Sequence, residues 1–171
     1  SGTQNSGSAK TSSQKASKHT ISNVASIAPK MDSRVLNAYA RMGFTVTVDP
    51  NAAYARHFDA RSRSITIQEA DETIYHELGH FLAFIAGNVD QSSAFASVYN
   101  SEKAKFTGYN KAYATQNAAE YFAESVKDYM LNGAALSSQR PNTYKAIQSA
   151  LNTVTTARAD VILKAYSSIW S

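Results

Sequence analysis

Two histidines and a glutamate stand within five residues of one another, in the segment HELGH at positions 76–80. On an α-helix, residues four apart are separated by about 40° of rotation and ~6 Å of rise, so His76 and His80 project side by side. Two imidazole nitrogens in that arrangement can bind one Zn²⁺ ion. Glu77 is rotated by about 100° from His76, and it can reach a water bound to the ion. This geometry assigns Glu77 as a general base.

A chance match to the HExxH pattern is the alternative interpretation. Random composition gives about 0.003 expected occurrences in this chain, so coincidence does not account for the motif. Two histidines on a nearly all-apolar helix also need polar partners, because an unpaired buried polar group is costly. A metal ion supplies those partners, and we therefore predict Zn²⁺ as the cofactor.

A hydrolytic zinc site needs a third protein ligand and an open position for water. The segment NAAEYFAE at 117–124 offers two carboxylates four residues apart, Glu120 and Glu124. One of them can bind the metal while the other accepts a hydrogen bond from a ligating imidazole. We assign Glu120 as the ligand and Glu124 as the acceptor from His76; a solvated acidic face paired with Lys127 is the alternative. The candidates for the third ligand are Asp90, Glu102, Glu120, Glu124 and Asp128.

The apolar pattern predicts the elements that must position these side chains. Short alternating segments rich in β-branched residues predict strands at 44–48 and 64–68, and residues 57–58 can pair with the second of them. We expect 64–68 to be an edge strand, available to an extended substrate. Asp71 and Asn117 are candidate helix caps. Helical spacing predicts helices near 31–42, 72–85, 92–104, 117–131, 142–152 and 155–168. This order of elements is typical of an α+β fold.

The composition of the chain argues against several kinds of binding partner and site. The chain has 171 residues and a formal charge of +4. Four lysines and no acid occur before residue 32, which leaves 13 basic residues against all 13 acidic residues in the rest. The net charge of residues 32–171 is therefore zero, which does not favour binding of nucleic acid. No apolar run approaches a membrane span. The chain contains no cysteine, which excludes thiolate metal sites.

The polar, basic start of the chain predicts a boundary near residue 20. We expect residues 1–20 to form a flexible basic tail and residues 21–171 to form one zinc metallopeptidase domain. Within that domain, an α/β half is expected at 21–88 and a helical half at 89–171. No charged-then-apolar leader opens this sequence, so we expect that any export signal has been removed or never existed.

HELGH followed about forty residues later by NAAEYFAE resembles the small gluzincin metallopeptidases of the anthrax lethal factor catalytic-domain type. That group includes secreted clostridial Pro-Pro endopeptidases. The resemblance extends from about residue 31 to the end of the chain and includes the RPNTY segment at 140–144. It implies a small zincin-like fold, in which a short mixed sheet and the HExxH helix precede a mostly helical C-terminal half. It also implies a secreted zinc endopeptidase.

The resemblance also implies a role for a tyrosine. The family carries a Tyr seven residues before the ligand glutamate, and this position is Tyr113 here. Its phenol would donate a hydrogen bond to the oxyanion; Tyr109 is the alternative. The Pro-Pro branch carries a Trp in the loop before the zinc helix, whereas the only Trp of this chain is Trp170. Ala119 also stands where that branch can carry an acid. The preference of the enzyme for particular substrate sequences therefore stays open.

These observations predict a zinc-dependent endopeptidase that hydrolyses peptide bonds through a metal-activated water, acting as a monomer on a peptide or protein substrate. Three other functions stay open at this point. The chain can be a toxin-type peptidase that cuts a host protein, a hydrolase of cell-wall amides, or an inactive binding module that keeps the fold. Intact His76, Glu77, His80 and Glu120 argue against the inactive module.

Overall fold

Four short strands form a mixed sheet in the N-terminal part of the chain. In a computed structural model, which describes residues 17–170, the strand order is β1-β2-β4-β3. The strands β2 and β4 are parallel, and the two outer pairs are antiparallel. The strands are β1 (His19–Ile21), β2 (Thr45–Val48), β3 (Arg56–Asp59) and β4 (Ser64–Ile67).

The prediction that residues 64–68 form an edge strand is wrong. Strand β4 lies between β2 and β3, so β3 is the edge of the sheet on that side. Ile65 and Ile67 on β4 are fully buried, and Val46 and Val48 on β2 are buried beside them. Alternation of apolar residues records burial of one face, and it does not record whether one or both edges of a strand are hydrogen-bonded.

Strand β1 lies where the sequence predicts a polar tail. It begins at His19, whereas structure was expected from about Ile21. It pairs with β2 through backbone hydrogen bonds, and its side chains are mostly exposed, which explains why no apolar pattern marks it. The rest of the predicted basic tail, residues 1–16, lies outside the described part of the chain.

One α-helix lies between β1 and β2 in the chain, and the others follow the sheet and make up the C-terminal half. The structure confirms the α+β class with its mostly helical second half. No helix within residues 17–170 is long and apolar enough to cross a membrane. The helices are α1 (Ser33–Arg41), α2 (Thr73–Ile85), α3 (Ser93–Glu102), α4 (Lys111–Ala114), α5 (Ala118–Gln139), α6 (Pro141–Asn152), α7 (Thr156–Ala165) and α8 (Ser167–Trp170).

Helix α5 extends eight residues beyond its predicted end, and a break inside it explains the difference. Asn132 has φ −153° and ψ 57°, which is not helical, and a second helical segment continues from it to Gln139. The start of α5 agrees with its predicted cap, because the Asn117 side chain accepts a hydrogen bond from the Glu120 N–H at 2.8 Å. That cap fixes where Glu120 enters the helix.

Helix α2 lies inside the protein, between the sheet and α5. Ten of its residues are buried. Phe81 packs edge-on against Tyr39 of α1, with 4.8 Å between ring centroids, and against Phe44 at 4.9 Å. The indole of Trp170 contacts the Phe44 ring, and its Nε1 donates to the Ala60 carbonyl at 3.1 Å. The aromatic cluster therefore fixes α2 against the β2 side of the fold.

Glu102 is the last residue of α3, and its side chain caps the N-terminus of α6. Its carboxylate, which is 2% exposed, accepts hydrogen bonds from the N–H groups of Asn142 and Thr143 at 3.1 and 2.7 Å. It also accepts from the Thr143 hydroxyl at 2.7 Å. Burial alone raises the pKa of Glu102, but the hydrogen bonds from Thr143 and Asn142 outweigh it and hold the pKa below 4.5. The carboxylate thus stabilises the helix only when ionised.

Replacing this carboxylate by an amide is expected to destabilise the fold. In Glu102→Gln an NH₂ group faces backbone donors, so the free energy of unfolding at pH 7 falls by about 1–2 kcal/mol. Because the folded pKa lies below the unfolded one, the contribution is complete above about pH 5 and is lost as the pH falls through the folded pKa. Urea unfolding at pH 7 and pH 3 measures both effects.

The matched control is Glu69→Gln, since that glutamate is exposed in the segment before α2. A Glu102→Gln variant as stable as this control at pH 7 would contradict the capping role.

Candidate metal centre

The two histidines of the HELGH segment lie side by side on α2. Their ring centroids are 4.9 Å apart, with 76° between the ring planes. His76 is fully buried, and the His80 side chain is 18% exposed. The His80 ring also lies nearly parallel to the Phe58 ring on the edge strand, at 6.5 Å between centroids. His80 is therefore the more exposed histidine of the pair, and Phe58 of β3 lies beside it.

Glu120 on α5 brings its carboxylate to both imidazoles. Its Oε1 atom lies 2.9 Å from His76 Nε2 and 3.2 Å from His80 Nε2. One donor atom from each of the three side chains lies within 4.8 Å of the others, and within residues 17–170 this is the group suited to hold a metal ion. Three convergent donors of the His₂Glu type are the protein ligands of many catalytic zinc sites.

Glu124 lies one turn further along α5 and faces the other nitrogen of His76. His76 Nδ1 donates to Glu124 Oε2 at 2.6 Å, and Lys127 Nζ donates to Glu124 Oε1 at 3.2 Å. Burial raises the pKa of Glu124, but the His76 hydrogen bond and the Lys127 charge lower it to about 2. The carboxylate therefore stays ionised and fixes the ring orientation of His76.

The surroundings of His76 favour a positive charge at this group. Both ring nitrogens face carboxylates, and the two carboxylates raise the pKa of His76 although burial opposes the charge. For Glu120, burial likewise raises the pKa, and the hydrogen bonds from His76 and His80 more than reverse this. A divalent cation can replace the Nε2 proton, accept both Nε2 lone pairs and bind the same carboxylate. The donor set fits zinc.

Glu77 lies beside the three donor side chains and outside their group. It is 3% exposed, and its Oε2 atom lies 3.8 Å from His76 Nε2 and 3.7 Å from Arg56 Nε. Burial raises the pKa of Glu77, partly offset by the nearby positive charges of His76, His80 and Arg56. A carboxylate with a raised pKa next to a metal site is suited to accept and return a proton.

Tyr113 reaches the same carboxylate from the short helix α4. Its hydroxyl donates to Glu120 Oε1 at 3.0 Å. Burial raises the pKa of the Tyr113 phenol, so it keeps its proton. Tyr109, the alternative from the sequence, is 96% exposed. The structure therefore brings Tyr113, and not Tyr109, to the candidate centre.

The other carboxylates considered as ligands have different contacts. Glu102 caps α6, as described above, and Asp128 Oδ2 accepts from Arg140 Nη2 at 2.6 Å. Asp90 is buried in the 3-10 turn Val89–Gln91, where it lies near enough to His80 for their charges to interact. None of the three belongs to the group formed by His76, His80 and Glu120.

Arg56 is a site residue that sequence reasoning missed. Its guanidinium carbon lies 4.9 Å from the centroid of the Tyr113 ring. The strand RHFD carries Arg56 and Phe58 two residues apart, so both side chains project from the same face of β3. The spacing of two residues predicts that Arg56 and Phe58 share a face of the strand. It does not predict that this face lies beside α2, and so it did not mark Arg56 as a site residue.

Gly79 sets how closely α2 approaches α5. A Cβ atom at this position would lie 2.7 Å from the Ala123 carbonyl oxygen and 2.8 Å from Ala123 Cα. Both are backbone atoms that cannot turn away. His76 and His80 flank Gly79 on α2, and Glu120 and Glu124 flank Ala123 on α5. The glycine thus permits the helix contact that brings the imidazoles to the carboxylates.

A methyl group at this contact is expected to separate the two helices. Gly79→Ala should lower the free energy of unfolding by about 1–3 kcal/mol and weaken Zn²⁺ binding by about 10-fold or more. Thermal unfolding and zinc titration measure the two effects. Gly133→Ala is the matched control, because its added Cβ meets only the Tyr144 ring at 3.9 Å. Equal behaviour of the two variants would refute the role of Gly79.

Comparison with known proteins identifies the family of this chain. A family model described as anthrax toxin lethal factor, N- and C-terminal domain, matches residues 60–150. No curated protein sequence matches the chain. The matched region is more than half of the 171 residues and contains α2, α4 and α5. The chain therefore belongs to the anthrax toxin lethal factor family.

Proposed function

We propose that this protein is a zinc-dependent endopeptidase of the gluzincin type. The observation that carries the proposal is the convergence of His76 Nε2 and His80 Nε2 on Glu120 Oε1, at 2.9 and 3.2 Å. The buried Glu77 carboxylate lies beside them. His76, His80 and Glu120 would hold the zinc ion, and Glu124 would fix the orientation of His76.

The reaction is hydrolysis of a peptide bond. When bound, zinc supplies Lewis-acid polarisation of the scissile carbonyl and lowers the pKa of the attacking water. Glu77 removes a proton from that water and later delivers it to the amine nitrogen as the C–N bond breaks. The raised pKa of Glu77 brings it closer to the working pH, which favours both transfers. The Tyr113 hydroxyl turns from Glu120 to donate to the developing oxyanion.

The edge strand β3 is the proposed surface for the substrate backbone. Strand β3 pairs with β4 on one side, and its outer edge pairs with no strand within residues 17–170. The strand runs past the candidate centre, because Phe58 stacks near His80 while Arg56 lies near Glu77. An extended peptide that adds to this edge brings its carbonyl groups to the metal site. The substrate class is therefore an extended, unfolded segment of a peptide or protein.

A toxin-type peptidase that acts on a host protein is the second candidate. The match to the lethal factor family favours it. Both candidates share the same site chemistry, and they differ in substrate. Cleavage of many unrelated library peptides supports the general endopeptidase, whereas cleavage restricted to one host protein supports the toxin.

The proposed chemistry separates metal binding from proton transfer. Cleavage of an unbiased peptide library should stop with a zinc chelator and return when zinc is added. Glu77→Gln should keep one zinc per chain and lose about 10³-fold or more in rate, because the amide cannot accept the proton. Metal analysis and library cleavage measure the two properties.

Glu72→Gln is the control for this variant, since Glu72 is exposed at the N-terminus of the same helix. Cleavage that persists with the chelator, or a Glu77→Gln variant as active as this control, would reject the mechanism.

Loss of the Tyr113 hydroxyl is expected to slow the reaction without unfolding the protein. Tyr113→Phe keeps the ring and its packing and removes one donor to the oxyanion, so kcat should fall about 10- to 100-fold. Tyr109→Phe removes a hydroxyl from an exposed tyrosine and should leave kcat unchanged. Steady-state kinetics with one library-derived peptide measure both, and equal rates for the two variants would remove Tyr113 from the mechanism.

A further inference from the structure

Arg56 lies at the point where the sheet meets the candidate centre. It is the first residue of β3 and pairs with Ile67 of β4, which fixes its backbone. Its side chain is 19% exposed, so most of it is enclosed. Helix α2 packs against this strand and presents Glu77 to the guanidinium. The arginine is therefore anchored in rigid elements on both sides.

The Arg56 guanidinium contacts Glu77 and the ring of Tyr113. Arg56 Nε lies 3.7 Å from Glu77 Oε2, which is an ion pair without a hydrogen bond. The guanidinium carbon lies 4.9 Å from the Tyr113 ring centroid, within the range of a cation–π interaction. The contact with Glu77 holds the cation in place, and the contact with the ring transmits that placement to Tyr113.

Tyr113 needs such support because its own helix is short. Helix α4 has four residues and follows Asn110, whose φ is +61°. One turn of helix does little to fix a side chain whose hydroxyl must reach 3.0 Å from Glu120 Oε1. The Tyr113 ring lies 6.1 Å from the His76 ring, tilted by 39°. The guanidinium supplies a further contact for the ring from the edge strand.

We infer that Arg56 is a positioning residue, which holds the Tyr113 ring so that its hydroxyl points into the metal centre. The inference rests on the proposed peptidase function, because the hydroxyl acts on the substrate. In this inference Arg56 affects the reaction through Tyr113. Its neighbour Glu77 offers a rival route, in which the cation acts on the general base by charge alone, and the experiment must separate the two.

The first measurement needs no catalysis. The ring resonances of Tyr113, assigned in NMR spectra by comparison with Tyr113→Phe, are recorded in the original protein, Arg56→Met and Arg56→Lys. Arg56→Met should shift or broaden them, and Arg56→Lys should give a smaller change because it keeps a cation. Arg61→Met is the matched control, an exposed arginine in the turn between β3 and β4. Tyr113 resonances that are the same in Arg56→Met and Arg61→Met would overturn the inference.

The second measurement is a double-mutant cycle in peptide cleavage. Arg56→Met should lower kcat about 10- to 100-fold with little change in KM, and Arg56→Lys should recover part of the loss. In the Tyr113→Phe background the same substitution should cost less than about 2-fold, because the hydroxyl to be positioned is absent. An equal loss in both backgrounds would assign the effect to Glu77 and overturn the inference.

The two measurements also distinguish the inference from the proposed function. If the original protein cleaves no peptide, the proposed function fails, and the NMR comparison still decides whether Arg56 holds Tyr113. If the protein cleaves peptides and the cycle is additive, only the inference fails. Circular dichroism of each variant shows that the fold is intact, and Arg56→Lys carries the test if Arg56→Met does not fold.

Discussion

The backbone of α2 passes so close to α5 at Gly79 that no other side chain fits between the helices. Ala123 provides the opposing backbone, and a β-carbon on Gly79 would lie within 2.8 Å of two of its atoms. Every donor of the candidate centre comes from one turn on either side of this contact: His76 and His80 from α2, Glu120 and Glu124 from α5. A single steric condition therefore sets four side chains at once. The hydrogen bonds between the imidazoles and the carboxylates are 2.6 to 3.2 Å long.

The contact encloses more negative than positive fixed charge. Three carboxylates, those of Glu77, Glu120 and Glu124, meet the cations of Arg56 and Lys127. Burying an unpaired charge is expensive, so a further positive charge is needed. The carboxylates around His76 raise its pKa, so they favour a positive charge on its ring although burial opposes it. A divalent cation would meet the same need with a larger charge, which supports the proposal that His76, His80 and Glu120 hold a metal ion.

Sequence reasoning succeeded where the information is local. The helical positions of His76 and His80, and of Glu120 and Glu124, follow from a spacing of four residues. The Asn117 cap lies three residues before Glu120. Tyr113 has no such local signal and was identified through resemblance to a family. The structure places its hydroxyl on Glu120, but the catalytic role of each of these residues stays a prediction.

Reasoning failed where the partner is distant or the element carries no apolar pattern. The edge position of β3 depends on the parallel pairing of β2 with β4, which no local pattern encodes. Arg56 lies near the candidate centre only because β3 occupies that edge. Glu102 was considered as a metal ligand, because nothing in its neighbourhood reveals that its hydrogen-bond donors lie forty residues later, at the start of α6. Asn132 breaks α5 without ending it.

The proposed metal centre holds one cation between two imidazoles of α2 and one carboxylate of α5. Anomalous diffraction at the zinc absorption edge, from crystals grown with zinc, would locate that cation. We expect a single strong peak within bonding distance of His76 Nε2, His80 Nε2 and the Glu120 carboxylate, with Glu124 still hydrogen-bonded to His76 Nδ1. A map without a peak between these side chains, in which Glu120 keeps its hydrogen bonds to both imidazoles, would contradict it.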